Sequence, residues 1–459
     1  MPVSSPHPAY QRSAPLWERM RDAAVGEDAV KAKGSVYLPV PPTIEAIKDE
    51  NSGIYRNYLA RARFPEAVGP AVEGMAGLMA GDGGEITLPD RLGYLRKAAT
   101  PDGLGLDGLL RRVRHEVVAL GRHVLLVDAP PDGGDPFIAT YSAESLINWR
   151  ADGGRATLAV FHEIVNEPDP ADPFVAVPVS QWREAAVDTG EDGAERYVVR
   201  LWRHPPGSES PIVISEVVPT RQGQPLDFVP VVAIGSRDLA LDPDAVPLLG
   251  VANKALHFFR QYADYALQLF MSANGTTPYL FGGDEAPEAM GPGAFWKSSG
   301  PDTKAGYLEI SANGLDAQRQ SLDAISQEIA DAAMRALGDG RKGTESGEAL
   351  RLRFHSQTAT LASIARSTSA GIERALGFVA QWIGVDGSDI AVAPDLDFIH
   401  EAPSPQVLAT LQNGVERGIL PDTLLWNYVQ RVRLTQMSVE ELRGESPAVQ
   451  AIPQDDDLA

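Results

Sequence analysis

The chain of 459 residues is 44% hydrophobic, enough to bury a large core and, by its length, to form roughly two to four domains. Its 40 Lys and Arg against 62 Asp and Glu give a net charge of −22, the reverse of what tight binding to nucleic acid by phosphate neutralisation requires. With no cysteine, disulfide scaffolds, thiolate zinc sites, iron–sulfur clusters and cysteine nucleophiles are excluded together; no run approaches the roughly 18 apolar residues of a membrane span, and the opening MPVSSPHPAYQRSAPLW lacks the basic and apolar stretches of a secretory leader.

Residues 15–32 predict a helix, with Leu16, Trp17, Met20, Ala24 and Val30 loosely on one side. The prolines of YLPVPPT (37–43) stop it, because proline cannot continue a helix. A second helical region is expected from Ile54 to Met79, burying Tyr55, Tyr58, Leu59, Ala62, Val68, Val72 and Met75, until Gly81 to Gly84 end it. LDGLLRRVRHEVVALG then reads as a helix and HVLLVDAP as a buried strand. Further strands are expected at FIATYS, TLAVFHEIV, RYVVRLWRH and IVISEVV, separated by the turn clusters PPDGGD, NEPDPADP and DTGEDG. Residues 105–235 therefore predict a mixed α/β region dominated by antiparallel hairpins.

Residues 250–383 have another character. The first helix, Gly250 to Ala273, spaces Ala252, Leu256, Phe259, Ala263, Leu267 and Phe270 by three and four, which forms one stripe. A Gly/Pro-rich insert at 274–312 follows, then a second helix to Leu337 with Leu322, Ile325, Ile329, Ala332 and Ala336 in register. The polar hairpin Gly338 to Gly347 leads into a third helix ending near Ile383, striped by Leu361, Ile364, Thr368, Ile372, Ala375, Val379 and Trp382. Three such stripes must bury against one another or against neighbouring copies. Beyond them, IAVAPDLDFIHE (390–401) predicts a strand, and helices follow near Pro405–Arg417 and Leu424–Leu434. Ser438 and Glu441 form a capping box, and the acidic tail from 445 predicts disorder.

The motifs that carry chemistry are few. Gly103-Leu-Gly105-Leu-Asp-Gly108 spells G-x-G-x-x-G, with Asp128 about twenty residues on, as a dinucleotide site would have. The strand that should precede it is missing, since RLGYLRKAATPD is charged and broken at Pro101. His162, Glu163 and Glu167 lack the second histidine, four residues from the first on a helix, of a metalloprotease motif. His257, beside Phe258 and Phe259, reads as a packed or interface histidine. No catalytic constellation or metal set emerges. One basic spot stands out: Arg341 and Lys342, at the tip of the loop G-D-G-R-K-G between two long helices.

The order of elements, together with WERMRDAAVGEDAVKAKGSVYLP (17–39), YRNYLARARFPEAV (55–68), GRHVLLVDAP (121–130), YSAESLINWR (141–150), LLGVANKALHFFRQYADYALQL (248–269) and YLEISANGLDAQRQSLDAISQEIADAAM (307–334), resembles the portal proteins of tailed bacteriophages, over roughly residues 15–435. The specificity lies in the order of these phrases, since none is a catalytic fingerprint. The resemblance implies an α+β, mainly helical portal fold: residues 1–104 and 105–249 as wing, 250–273 and 313–337 as stem helices, 274–312 as clip, 338–347 as tunnel loop, 348–401 as a helix crossing the wing with a return strand, 402–445 as a small crown, and 446–459 as the tail.

It further implies a dodecameric ring in a capsid vertex, without cofactor or hydrolytic activity of its own. Double-stranded DNA would pass through, with a terminase large subunit, major capsid and scaffolding proteins, and head-completion or adaptor proteins as partners. Phe295, Trp296, Lys297 and Lys304 would belong to the clip interface, Arg341 and Lys342 would touch DNA, and Leu256, Phe259, Leu267, Leu322, Ile325 and Ile329 would pack the stem. A non-portal scaffold, or a nucleotide-binding enzyme using the Gly103–Gly108 turn, are the alternatives.

Overall fold

Helix α1 (Pro8–Val25) starts well before residue 15 because Pro8 opens its first turn and His7 caps it, accepting the Ala9 amide on Nδ1 at 3.2 Å. The computed structural model describes residues 2–42, 53–79, 85–130, 133–169, 171–190, 193–205, 207–208, 210–221, 223–274, 277–281, 304–308, 314–337, 347–394, 396, 398 and 405–431. Two units divide the chain, Met1–Leu396 and Asp397–Ala459. Gly26 separates α1 from the short helix α2 (Glu27–Ala32), so the helix predicted over 15–32 is in fact two.

The single helix expected from Ile54 to Met79 is likewise two, α3 (Gly53–Arg61) and α4 (Val68–Leu78). Pro65 lies in the break, where it lacks an amide and disfavours the helical conformation of Phe64. Helix α5 (Leu106–Leu120) buries Leu106, Leu109, Leu110, Val113, Val117 and Val118, the stripe its 3.6-residue period demands.

A two-residue strand, β1 (Ile86–Thr87), precedes α5. Strand β2 (Arg122–Asp128) follows α5 and is buried along nearly its whole length. It is the centre of a three-stranded antiparallel sheet with β3 (Phe137–Ser142) on one side and, on the other, a strand from much later in the chain, residues 231–235. The second sheet is a five-stranded antiparallel meander in chain order: β4 (Leu146–Asp152), β5 (Arg155–Pro168), β6 (Ala176–Thr189), β7 (Glu195–Arg203) and β8 (Ile212–Val217). Ile147, Val160 and Trp182 form its core, covered by Val3, Tyr10, Leu158 and Trp202. The four strands predicted here after β2 are all present. Strands β4 and β6 were not anticipated: β6 contains Pro178 and the helix-favouring run Arg-Glu-Ala-Ala-Val, and pairing on both sides overrides that propensity. A small hairpin, β9 (Thr220–Arg221) with β10 (Gln224–Pro225), leads to β11 (Val231–Gly235), which closes the first sheet.

Helix α6 (Leu249–Asn274), strands β12 (Thr277–Phe281) and β13 (Lys304–Leu308), and helices α7 (Leu315–Leu337) and α8 (Gly347–Ile383) follow. Helix α8 has 37 residues and is about 55 Å long. All seven residues of its predicted stripe are buried, from Leu361 to Trp382. Hydroxyls fix it to the first sheet: Ser367 donates to the Gly235 carbonyl at 2.8 Å and Ser363 to that of Ser236 at 3.0 Å.

The strand expected over 390–401 is only two residues among those described, β14 (Ala391–Val392), paired antiparallel with β1. The Ala393 amide still donates to the Glu85 carbonyl at 3.0 Å, and Pro394 after it has no amide to give a ladder. In the second unit, α9 (Pro405–Glu416) and α10 (Asp422–Arg431) are packed together near their expected positions. Ser438, Glu441 and the acidic tail lie outside the described residues. Among the described residues no helix is long and apolar enough to cross a membrane.

Candidate functional site: a helix pair with strands at its tip

Helix α6 is held along one side by the N-terminal helices. Arg19 Nη1 donates to Asn253 Oδ1 at 2.8 Å, Arg260 Nε to the Tyr37 carbonyl at 2.7 Å, and Tyr58 Oη to Asp264 Oδ1 at 2.6 Å. Burial, aided by Asp264, pushes the Tyr58 hydroxyl well above its ordinary pKa, so it stays a donor. Phe64 meets Phe259 edge-on with centroids 6.2 Å apart, and the Arg61 guanidinium lies 3.8 Å over the Phe270 ring. The helix is thus tied along most of its length to the N-terminal segments.

Helix α7 returns antiparallel to α6. Lys254, near the start of α6, pairs with Glu328 in the second half of α7, and at the other end β12 pairs antiparallel with β13, Thr277 opposite Leu308 and Phe281 opposite Lys304. The Gly/Pro-rich insert 274–312, for which no strand was predicted, therefore has a two-stranded base. Its glycines and prolines hid the strands, because the pairing partner is far away in sequence.

The stem residues fall in two groups. Leu256, Phe259, Leu322 and Ile329 are buried. Leu267 and Ile325 are only half-buried. Towards the strands the stripe loses most of its cover: Phe270 is 42% exposed beneath the Arg61 guanidinium, and Leu269 and Met271 beside it are exposed as well. On α7, Met334 is also exposed. His257, expected to be a packed or an interface histidine, is exposed and so is not packed within the chain, while Phe258 stacks on Tyr262 with centroids 5.8 Å apart. Lys304 is exposed at the start of β13. Phe295, Trp296, Lys297, Arg341 and Lys342 lie outside the described residues.

The glycine turn has a structural use within the chain. A 3₁₀ turn, Asp90–Arg96, precedes it in place of a strand, and Gly103 has φ of 85°. A Cβ on Gly105 would overlap the Arg96 carbonyl, so the close approach that a pyrophosphate would need is already made by backbone. Asp102 accepts from Thr100 and from Arg112, and these partners hold its carboxyl down at about 2. Asp128 ends β2, but β2 is flanked by antiparallel strands, and the carboxylate faces Arg183 at 3.3 Å.

The acidic residues of β5 are saturated in the same way. Glu163 accepts from Tyr141 at 2.7 Å, from Gln181, and from Arg183 Nε at 2.8 Å. Burial opposes its charge, yet Arg183 and these donors hold its carboxyl below the usual range. His162 stacks on Trp182, as a strand-surface histidine would. Among the described residues no group of His, Asp or Glu is arranged to hold a metal ion.

Residues 247–383 match a family model described as a domain of unknown function, DUF4055. The match begins just before α6 and ends at the last residue of α8, so it follows the helix pair, its insert and the long third helix. No curated protein matches. Among solved structures, a chain in the neck of an empty GTA particle computed with C6 symmetry is 14% identical, over 79% of this chain and 90% of that one, with a TM-score of 0.38. A chain in the virion of a native gene transfer agent (GTA) particle is 16% identical over 82% and 88%, with a TM-score of 0.35. Scores this low do not establish a shared fold.

Proposed function

We propose that the chain is a portal-type subunit of a tailed-phage-like particle, assembling as a dodecameric ring around a channel for double-stranded DNA. The observation that carries this reading is the helix pair α6 and α7, whose apolar stripe is buried at one end and opens to solvent towards the other, where Leu269, Phe270, Met271 and Met334 are partly exposed. An apolar stripe left open by the chain itself calls for neighbouring copies. A head-to-tail contact between different patches closes into a ring when the rotation permits. The resemblance in the order of sequence phrases supplies the class of ring.

In that reading α6 and α7 are the stem, the insert between them is the clip, and Phe295, Trp296, Lys297 and Lys304 meet neighbouring subunits or docking proteins there. The loop carrying Arg341 and Lys342 touches passing DNA. A net charge of −22 suits such a channel, because each neutralised phosphate would add binding free energy and hold the DNA in place. The terminase motor, capsid and scaffolding proteins and head-completion proteins are the partners, and ATP hydrolysis belongs to the motor. The test is loss of the gene from the particle that produces the protein: heads should assemble without packaged DNA. DNA-filled heads lacking this chain would overturn the reading.

A further inference from the structure

Strands β5 and β6 outrun their neighbours. Strand β4 accompanies β5 only as far as Phe161, and β7 accompanies β6 only back to Gln181. Beyond those points, residues 164–168 and 176–180 continue as a two-stranded arm about 17 Å long, which Arg203 of β7 still reaches through Glu167 at 2.6 Å. A hairpin of this kind has little stability of its own in water. Val165 and Val179 pair half-buried on it, but Ile164, Val175 and Val177 are exposed, and Phe174 at the tip is 97% exposed.

Hydrogen bonds brace the described residues of the tip. Asp169 Oδ1 accepts the Ala171 amide at 2.7 Å and Asp172 Oδ1 accepts that of Phe174 at 3.0 Å, while the Asp169 amide closes the loop on the Val175 carbonyl at 2.8 Å. Each carboxylate uses one oxygen to shape the turn and keeps the other. Among the described residues neither forms an ion pair. The tip therefore presents an exposed aromatic ring with two carboxylates shortly before it in the chain.

The same unit contains a cleft of the opposite chemistry. It measures about 370 Å³ and lies between the β4–β5 turn, the segment before β11 and the last turns of α8. Phe228 and Phe378 stack in its wall with centroids 5.3 Å apart and planes 18° from parallel. Arg155 and Arg374 border it. Arg155 Nη2 donates to the Asp227 carbonyl at 2.7 Å, and the Arg374 guanidinium lies 6.0 Å from the Phe378 ring. Among the described residues neither arginine meets a carboxylate, in a chain whose acids outnumber its bases 62 to 40.

We propose that the arm tip of one copy docks in this cleft of the next, with Phe174 against Phe228 and Phe378, and Asp169 and Asp172 paired with Arg155 and Arg374. The proposal rests on the ring reading and names a contact that builds the ring. Tip and cleft are different patches of one chain, so the contact is head-to-tail and propagates. A buried aromatic anchor ringed by arginine–carboxylate pairs is the composition of an interface hot spot. A DNA phosphate is the poorer occupant, because it offers nothing to the aromatic wall and the chain as a whole repels it.

The absence of cysteine makes the contact directly testable. Copies carrying Pro173→Cys are mixed with copies carrying Gln381→Cys and oxidised, and native mass spectrometry of the unsubstituted protein reports assembly separately. Disulfide-linked pairs containing one of each variant, well above either variant alone, are expected. In addition, Arg374→Asp should abolish assembly and Asp172→Arg in the same chain should restore it. Rings that form with no mixed disulfide, or that tolerate Arg374→Asp, would overturn the docking and leave the ring reading intact. A protein that neither assembles nor cross-links would overturn both.

Discussion

Gly371 of α8 and Ile234 of β11 lie so close that a Cβ on the glycine would overlap the isoleucine side chain. Ile234 is fully buried, so it has no solvent to move into. Together with the Ser363 and Ser367 hydroxyls, this contact seats the longest helix on the first sheet. Gly371→Ala should therefore destabilise the protein by about 1–3 kcal/mol, as overpacking does, and lower Tm in a thermal melt. An unchanged Tm would mean that α8 can slide on the sheet.

The uneven burial of α6 separates folding from assembly. Phe259→Ala removes a fully buried ring and should cost about 3–5 kcal/mol in denaturant unfolding. Leu269→Ser, at an exposed position closer to the strands, should leave unfolding of the isolated chain nearly unchanged and weaken assembly in native mass spectrometry. Equal effects of the two on unfolding would contradict the division drawn along this helix.

Acid sensitivity should centre on His123. It is buried in β2 with both ring nitrogens lacking a hydrogen-bond partner among the described residues, and burial pushes its pKa down to about 4 against a partial pull from Glu116. The unfolded histidine titrates at about 6.5. Between these values the unfolded chain binds the proton and the folded chain does not. The stability is therefore fully present above about 6.5 and is lost as pH falls towards 4, by about 3 kcal/mol in all. His115 acts the other way: hydrogen bonding to Glu116 raises its pKa, so its contribution is present below about 6.5 and lost as pH rises through its folded value. His123→Leu should flatten the acid limb of a stability–pH profile, and a profile unchanged between pH 4 and 6.5 would contradict this assignment.

At the glycine turn the prediction concerns shape and ligand together. Gly105→Ala forces a Cβ into the Arg96 carbonyl, which as backbone cannot swing aside, so Tm should fall. Nucleotides should produce no thermal shift in the unsubstituted protein. A clear shift would revive the enzyme alternative.

The stripes of α6 and α8 were legible because three-and-four spacing of apolar residues is a local signal, and the strands around TLAVFHEIV and RYVVRLWRH because alternation and turn clusters are local too. What escaped depended on distant partners. Strands β12 and β13 pair across the whole insert, and β6 is held by β5 and β7 against its own helical bias. The break at Pro65 was present in the sequence as a proline among apparent helix formers. At the arm tip, the phrase Asp-Pro-Ala-Asp-Pro-Phe between two strands was a signal of an acidic turn ending in an exposed ring. The Arg155 and Arg374 cleft gave none, since three segments more than two hundred residues apart in all make it.

Loop function makes a separate prediction. Replacing both Arg341 and Lys342 by Ala should leave ring assembly intact and change DNA packaging or retention, measured as protected DNA per head. Unchanged protected DNA would remove these two residues from the account.

The central claim is that copies of this chain close on one another head to tail. Native mass spectrometry of the purified protein, with negative-stain images of the same sample, measures this directly. The account predicts a single large species whose images are rings with a central hole. A protein that stays monomeric at assembly concentrations, or that stops at a two-fold dimer, would contradict it.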